Sequence, residues 1–489
     1  MRILLASSEV HPFSKTGGLA DMVAALAKSL ASRGHTVGLV SPLYRGIREK
    51  FPKLKKMSEG LYLPMGATAE AGQVWHLKGS AGEHLYFIEH DGFFNRSSYY
   101  LEAGRDFPDN DARFIFLSKA VVHLARHLPW KPEVVHVHDW QVGFVPLLIK
   151  AQAEAGVWPS APPTLLTIHN LAYQGVFPAT SYPFTNLPWS YYNVGGVEFY
   201  NQISCLKAGI NFATELTTVS PRYAREITTP EFGCGLDGVL RERQSDLTGI
   251  LNGVDYDEWN TTDNKSLVAA FDRDHPEGKA LNKASLQSAY HLPVRSDVPI
   301  FSTVGRLADQ KGFDLTIGSL EEMLSSDMQF ILLGTGQPEL EEAARALALR
   351  YPEKVGIKIG YDHKLAHLIE AGSDFFVMPS KFEPCGLNQM YSLRYGTIPI
   401  VRVTGGLDDS VVDAKDDAKK VNGIKFKEYT PAALSKAIRK ALGIFADPKL
   451  LEFYRWNGMG CDFSWEQTSS EYEALFKRSL LMAPQASKP

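Results

Sequence analysis

The sequence predicts an α/β protein built from two doubly wound, Rossmann-like domains. Three observations carry this reading. The chain opens as strand, glycine loop, helix, strand. A second series of apolar runs alternating with helical patterns begins near residue 300. The 489 residues exceed the roughly 250–300 at which a single hydrophobic core stops growing.

Residues 2–6 form a short apolar run, as a buried parallel strand requires. Residues 7–18 are rich in small and turn-forming types. Leu19, Val23, Leu26, Ala27 and Leu30 then recur at helical spacing, and Gly34 ends the pattern. Residues 37–40 are the next apolar run, which completes the opening unit of a doubly wound fold. Residues 61–94 differ, because apolar and polar residues partly alternate between glycine-bearing turns, so antiparallel strands are expected there. Further strands are expected at 134–137, 164–168 and 216–219. They end in His138-Asp139-Trp140, His169-Asn170 and Ser220, and ligand-binding groups sit beyond the carboxyl ends of strands in open α/β sheets.

The pattern breaks at Gly249-Ile250-Leu251-Asn252-Gly253-Val254-Asp255, after which 257–266 are mostly polar. The first domain is therefore assigned to 1–248 and the second to 249–464. In the second, apolar runs fall at 300–304, 330–333, 355–359, 375–378 and 398–403. Helical patterns fill 312–324, 339–349, 364–370 and 384–395. This alternation predicts a parallel sheet covered on both faces, and the crevice between two such domains is the expected ligand site.

Composition narrows the function. Hydrophobic residues make up 44% and charged residues 22%, close to the average soluble protein. The net charge of -4 and the absence of a basic stripe argue against a nucleic-acid or anionic-membrane partner. The four cysteines, at 205, 234, 385 and 461, form no C-x-x-C pair, so neither a disulfide framework nor a zinc site is expected. No metal-ligand cluster is evident, and no cofactor is expected. Ile3-Leu4-Leu5-Ala6 is shorter than the ~7–15 apolar residues of a signal sequence, and no run approaches the ~20 of a membrane span. A cytoplasmic location is expected.

Several motifs suggest chemistry. Lys15-Thr16-Gly17-Gly18-Leu19-Ala20-Asp21 joins the first strand to the first helix. Paired glycines admit a phosphate to the backbone, a helix N-terminus offers free N–H groups, and Lys15 adds charge. The loop fits neither G-x-G-x-x-G nor a P-loop, which weakens dehydrogenase and ATPase readings. Arg306 and Lys311 lie in the loop after the first strand of domain two, where two cations can clamp a diphosphate and offset the charge of its departure. Glu383-Pro384 reads as a helix start, with Pro384 in the first turn and the carboxylate held ionised by the dipole; a capping role is the alternative. Cys385 reads as a packing or substrate-lining residue. His138-Asp139 and His169-Asn170, ending two strands, suggest a sugar-binding rim. Thr404-Gly405-Gly406 repeats the small-residue pattern, offering more backbone amides. The aromatic residues of 191–200 read mainly as core.

In this order the motifs resemble the bacterial glycogen synthases and plant starch synthases. The resemblance covers nearly the whole chain, through the Lys15 loop, His136-Val137-His138-Asp139-Trp140, residues 167–175 and Arg222-Tyr223-Ala224-Arg225-Glu226-Ile227. It continues through Leu251-Asn252-Gly253-Val254-Asp255, Phe382-Glu383-Pro384-Cys385-Gly386-Leu387, and Arg402 with Thr404-Gly405-Gly406-Leu407. The chain departs from the family pattern at His11, Met22 and Asn388, the last where a threonine is common.

The resemblance implies a GT-B fold with an interdomain catalytic cleft that closes on its substrate. It implies ADP-glucose as donor, an α-1,4-glucan such as glycogen as acceptor, and retention of configuration. It assigns Lys15, Gly17 and Gly18 to the donor near its phosphates, Arg306 and Lys311 to the diphosphate, and Glu383 to the donor sugar as stabiliser or nucleophile. Asp139, His169 and Asn170 would line the glucose pocket, with Asp21 at the same cleft. Asn252, Cys385, Gly386, Leu387, Thr404, Gly405 and Gly406 would complete the substrate-binding set. A C-terminal helix within 465–489 would join domain one. The alternatives are a UDP-glucose-dependent retaining GT-B enzyme and a glucan-binding protein without turnover. Oligomeric state and allosteric control are not written in the sequence.

Overall fold

The computed structural model describes residues 1–102 and 104–482. The chain divides into two units. Unit 1 holds Met1–Val219, Ala224–Gly253 and the segment from Trp465 on; unit 2 holds Ser220–Tyr223 and Val254–Ser464.

Among the described residues, unit 1 contains a nine-stranded sheet. Its strands are β1 (Arg2–Ala6), β2 (Thr36–Pro42), β3 (Lys55–Met65), β4 (Thr68–Lys78), β5 (His84–Glu89), β6 (Val134–His138), β7 (Thr164–Ile168), β8 (Glu215–Thr218) and β9 (Leu247–Gly249). The spatial order is β9-β8-β7-β6-β1-β2-β5-β4-β3. The strands from β9 to β5 in that order pair in parallel, and Ile3, Leu4, Leu5, Val134, Val135, Leu165 and Leu166 are all buried. Burial on both faces is why these strands read as near-continuous apolar runs. β3 and β4 form the expected antiparallel hairpin, and β4 also pairs antiparallel with β5. The hairpin turns at Gly66, whose φ of 67° favours glycine.

β1 has β2 on one side and β6 on the other. The strand order reverses there, so the loops after β1 and β6 leave the carboxyl edge side by side, which is the ligand position of doubly wound sheets.

The helix Trp465–Met482 counts with unit 1. It buries Tyr472, Leu475 and Phe476, with Tyr472 and Phe476 against the His136 ring. Arg478 donates to both carboxylate oxygens of buried Glu215 at 2.5 Å. Gly253 lies against Trp465 so closely that a Cβ would stand 2.6 Å from the indole. The rest of the expected terminal segment, 483–489, lies outside the described residues. The division between units falls after Gly253 rather than after 248. Leu247–Gly249 pairs in register with β8, and Ile250 N donates to Thr218 O at 2.8 Å, which holds this stretch in unit 1.

Unit 2 contains a six-stranded sheet, parallel throughout. Its strands are β10 (Ile300–Val304), β11 (Gln329–Gly334), β12 (Val355–Ile359), β13 (Phe375–Met378), β14 (Ile398–Arg402) and β15 (Ile424–Phe426), in the order β12-β11-β10-β13-β14-β15. Helices follow from the apolar periodicity. In Pro431–Phe445, Leu434, Ala437, Ile438, Ala441 and Ile444 form one buried stripe, Thr430 caps the first turn by accepting from Ala433 N, and Pro431 occupies the first turn. Burying each large aliphatic side chain of that stripe contributes roughly 1.5–3 kcal/mol. Here the order reverses between β10 and β13, and the loops after them carry Gly305–Gly312 and Pro379–Leu387.

One expected helix is shorter than its pattern. The segment 384–395 is helical only over Asn388–Arg394. Gly386 takes a φ of 72°, a left-handed conformation that no α-helix continues through. Glu383 and Pro384 therefore lie in a loop, and the helix-dipole account of Glu383 does not apply. The aromatic residues of 191–200 are also not core: Tyr191, Tyr192 and Phe199 are half-buried and Tyr200 is exposed. Their segment is short turns and a three-stranded antiparallel ribbon, too irregular to present one face inward.

Candidate functional site

In unit 1 the loop after β1 is organised by a carboxylate. Glu9 is buried and accepts from the backbone N–H of Thr16, from Thr16 Oγ1 at 2.6 Å and from the Tyr100 hydroxyl at 2.6 Å. These bonds fix the turn just before Gly17. Gly17 is the N-cap of the helix Gly18–Ser32, and no side chain caps that end. A Cβ on Gly17 would meet nothing within 4 Å, so the space over the first helical amides is open to a ligand. Uncapped amides and the helix dipole make that end receptive to an anion. Lys15 is exposed, with Nζ 2.7 Å from Asp21 Oδ2, and His11 Nδ1 lies 3.7 Å from the same carboxylate. Lys15 and Asp21 thus stand together at the helix start.

The loop after β6 begins at Asp139, whose φ of 62° is uncommon for a residue with a side chain and costs on the order of 1–3 kcal/mol. Hydrogen bonds hold it there. Asp139 N donates to Thr167 O at 2.9 Å, and Asp139 Oδ1 accepts from His169 N at 2.7 Å. Burial pushes the Asp139 carboxyl up to about 7, against the lowering effect of the His169 and Asn170 amides. His169 Nε2 lies 3.1 Å from His138 Nδ1. Burial drives His138 well below its usual value and His169 down to about 3, so both rings are neutral. Asn170 Oδ1 accepts from Ala172 N at 3.1 Å. Asp139, His169 and Asn170 therefore form one polar rim on the ends of β6 and β7. Asn252 is buried, and its Oδ1 has no hydrogen-bond partner.

In unit 2, Lys311 Nζ lies 2.6 Å from Glu383 Oε2, and Ser380 Oγ donates to the same oxygen at 3.1 Å. Glu383 is buried and Lys311 half-buried. The Glu383 loop is clamped from behind. Gly406 N lies 3.1 Å from both Glu383 O and Pro384 O, and Ser220 Oγ donates to Pro384 O at 2.7 Å. Cβ atoms on Gly405 and Gly406 would stand 2.0 Å from Glu383 O and 2.1 Å from Cys385 O. The amide of Gly406 is thus committed to the protein, and Thr404 is the N-cap of the short helix Gly405–Ser410. Buried Cys385 and half-buried Leu387 lie in the same loop. Asn388 Nδ2 donates to Val304 O at 2.7 Å, tying this loop to the end of β10. Arg306 is exposed, with no hydrogen bond or ion pair from its side chain among the described residues, unlike Lys311.

Sequence reasoning missed Glu9, Ser380 and the bracing role of Ser220. Ser7-Ser8-Glu9, a carboxylate amid small residues just past the first strand, was the available signal for Glu9.

Residues 2–242 match the starch synthase catalytic domain model and 291–449 the group 1 glycosyl transferase model. A glycogen synthase of Anaeromyxobacter sp. (strain Fw109-5) is 46% identical over 478 residues, covering 98% of this chain and 99% of that protein. The chain belongs to the glycogen and starch synthase family. A glycogen synthase of Thioalkalivibrio sulfidiphilus is 45% identical, covering 98% of this chain and 99% of that one. Among solved structures, the catalytic domain of Arabidopsis thaliana starch synthase IV, bound to ADP and acarbose, matches with a TM-score of 0.88 and 32% identity, covering 98% of this chain and 99% of that one. Sucrose-phosphate synthase from Thermosynechococcus elongatus, at 17% identity and a TM-score of 0.61, shares the fold alone. As a member of the glycogen and starch synthase family the chain is a glycosyltransferase with the GT-B fold, acting on a nucleotide sugar and a glucan. Among the described residues no helix is long and apolar enough to cross a membrane.

Proposed function

We propose that this member of the family transfers glucose from ADP-glucose to the non-reducing end of an α-1,4-glucan, releasing ADP and retaining the α configuration. The Lys311–Glu383 pair carries the proposal. It joins a cation and a carboxylate from the two loops that leave the sheet where strand order reverses, the position at which such sheets bind nucleotides. Glycogen synthase relatives over the full chain and a similar starch synthase bound to ADP support the choice of donor.

In this reading Arg306 and Lys311 offset the charge that develops on the departing diphosphate. Lys15 and the uncapped amides at Gly17 and Gly18 bind the donor near its phosphates. Glu383 stands beside the donor sugar, where a carboxylate offsets oxocarbenium-like charge. Asp139, His169 and Asn170 hold sugar hydroxyls, and Asp21 orients Lys15. Asn252 offers its unpaired acceptor to substrate, and Cys385, Gly386 and Leu387 line the sugar side. The glucan 4-hydroxyl attacks on the face from which ADP departs and passes its proton to the ADP phosphate. Among the described residues none of the four cysteines is in a disulfide, which supports a reducing, cytoplasmic setting.

Incubation with ADP-glucose and maltoheptaose tests the linkage. The expected product is longer by single glucose units and is digested by an exo-acting α-1,4-glucanase. A product resistant to that enzyme would contradict the proposal.

A further inference from the structure

Glu258, His363 and His367 in unit 2 stand outside every residue assigned above. One potential ligand atom from each lies within 4.8 Å of those of the others. His363 and His367 are four residues apart on the helix His363–Gly372, so both rings project from one face. Asp362 caps this helix by accepting from Leu365 N at 3.0 Å, which fixes the turn that carries His363. Glu258 reaches the same point from the segment that opens unit 2, with Oε1 2.8 Å from His363 Nε2.

His367 is held as a metal-binding imidazole is held. Its ring stacks on Trp259 at 4.1 Å and 26°, and Trp259 stacks in turn on Tyr391 at 3.7 Å and 6°. Its hydrogen bonds are made at Nδ1, to the Tyr395 hydroxyl at 2.9 Å and near Asn264 Nδ2 at 3.1 Å. The Tyr395 hydroxyl donates its proton to Asn260 O. The two Asn264 amide hydrogens have acceptors in Asn260 O and Tyr395 Oη. Nδ1 then carries its own hydrogen and donates to Tyr395, which leaves the Nε2 lone pair bare. A hydrogen bond from the outer nitrogen that fixes tautomer and ring orientation is the usual support of a metal-bound histidine.

We propose that Glu258, His363 and His367 bind one divalent transition-metal ion, zinc foremost, clipping the Glu258 segment to the helix His363–Gly372. Two imidazole nitrogens and a carboxylate oxygen suit zinc, with water as the fourth ligand. Tetrahedral coordination at about 2.0–2.1 Å needs ligand atoms about 3.3 Å apart. The remaining convergence falls to His363 and Glu258, whose side chains are 49% and 45% exposed, while His367 is buried. The sequence carried one sign of this site, the His-x-x-x-His spacing. Cysteine spacing alone gave no indication of zinc.

The test uses the full-length protein, stripped of metal by chelator, then titrated with zinc chloride against a chromogenic chelator. Because His367 is buried, the variants are His363→Ala and Glu258→Gln. The expected result is about one zinc per chain in the wild type, a zinc-dependent rise in Tm, and at least tenfold weaker binding in both variants. Cobalt in place of zinc should give the intense visible absorption of a four-coordinate site, lost in His363→Ala. Failure of the wild type to bind zinc would overturn the proposal. So would equal zinc affinity in the wild type and His363→Ala, since the ion would then be held elsewhere. Glucose transfer by the metal-free variants should match the wild type, which separates this site from the transfer chemistry.

Discussion

Lys311 Nζ approaches Glu383 Oε2 to 2.6 Å, and the two partners differ in their access to water: the Glu383 side chain is 7% exposed and that of Lys311 29%. Loss of either partner therefore has unequal consequences. Without the carboxylate, Lys311 can turn to solvent. Without Lys311, Glu383 is left as a buried charge with Ser380 as its remaining side-chain partner. Glu383→Gln should lower kcat by about 10²-fold or more with little change in Tm. Lys311→Ala should lower kcat similarly and also destabilise by about 3 kcal/mol. Steady-state rates and urea unfolding of both variants check the pattern; equal stability losses would contradict the asymmetry.

Glu9 acts through the loop it holds rather than on substrate. Glu9→Gln keeps one acceptor oxygen and turns an amide toward a donor, disturbing the bonds from Thr16 and Tyr100. A bond to a charged group contributes about 1.5–3 kcal/mol, so kcat/KM for the donor should fall about tenfold or more, chiefly through KM. Initial rates across donor concentrations read this directly. An unchanged KM would remove Glu9 from the account.

Asp139 gives a pH signature with a definite sign. Its folded-state pKa is raised from 3.8 to about 7. Between those values the folded protein keeps a proton that the unfolded chain releases. Its contribution to stability is therefore full below about pH 4 and is lost as pH rises through about 7. Asp139→Asn keeps the positive φ, which asparagine tolerates, but cannot titrate. Relative to the wild type, the variant should gain up to about 3 kcal/mol between pH 4.5 and pH 7.5, the full slope of about 1.36 kcal/mol per pH unit holding only between the two pKa values. Urea midpoints at the two pH values measure it, and a constant difference would contradict the assignment.

Gly406 is a steric requirement, since its missing Cβ makes room for Cys385 O. Gly406→Ala should push the Glu383 loop from its brace, costing about 1–3 kcal/mol in stability and at least tenfold in glucose transfer. Calorimetry together with rate measurement checks both effects.

Much of this was legible in the sequence, for identifiable reasons. β1, β6 and β10 are covered on both faces, so they read as mostly apolar runs, with only His136 and His138 in β6 and Ser302 and Thr303 in β10 as buried polar exceptions. The loops at Lys15, Asp139, Lys311 and Glu383 follow those strands or their neighbours, so position along the chain marked them. The helix expected from Pro384 failed because periodicity does not reveal that Gly386 sits at positive φ. The brace from Ser220 was not legible because it acts on Pro384 O, far away in sequence, and Glu9 likewise takes one of its bonds from Tyr100; Ser380, three residues from Glu383, carried no periodic signal. Thr404-Gly405-Gly406 reads as offering backbone amides, and the Gly406 amide instead goes to Glu383 O and Pro384 O. Paired glycines announce a close approach without saying whether a ligand or another strand of backbone makes it.

The most direct test supplies the purified protein with glycogen and a panel of nucleotide sugars, following nucleotide release and glucose incorporation together. ADP-glucose should give equimolar ADP and α-1,4-linked glucose, with UDP-glucose far slower. No transfer from ADP-glucose by folded protein, or faster transfer from UDP-glucose, would contradict the account.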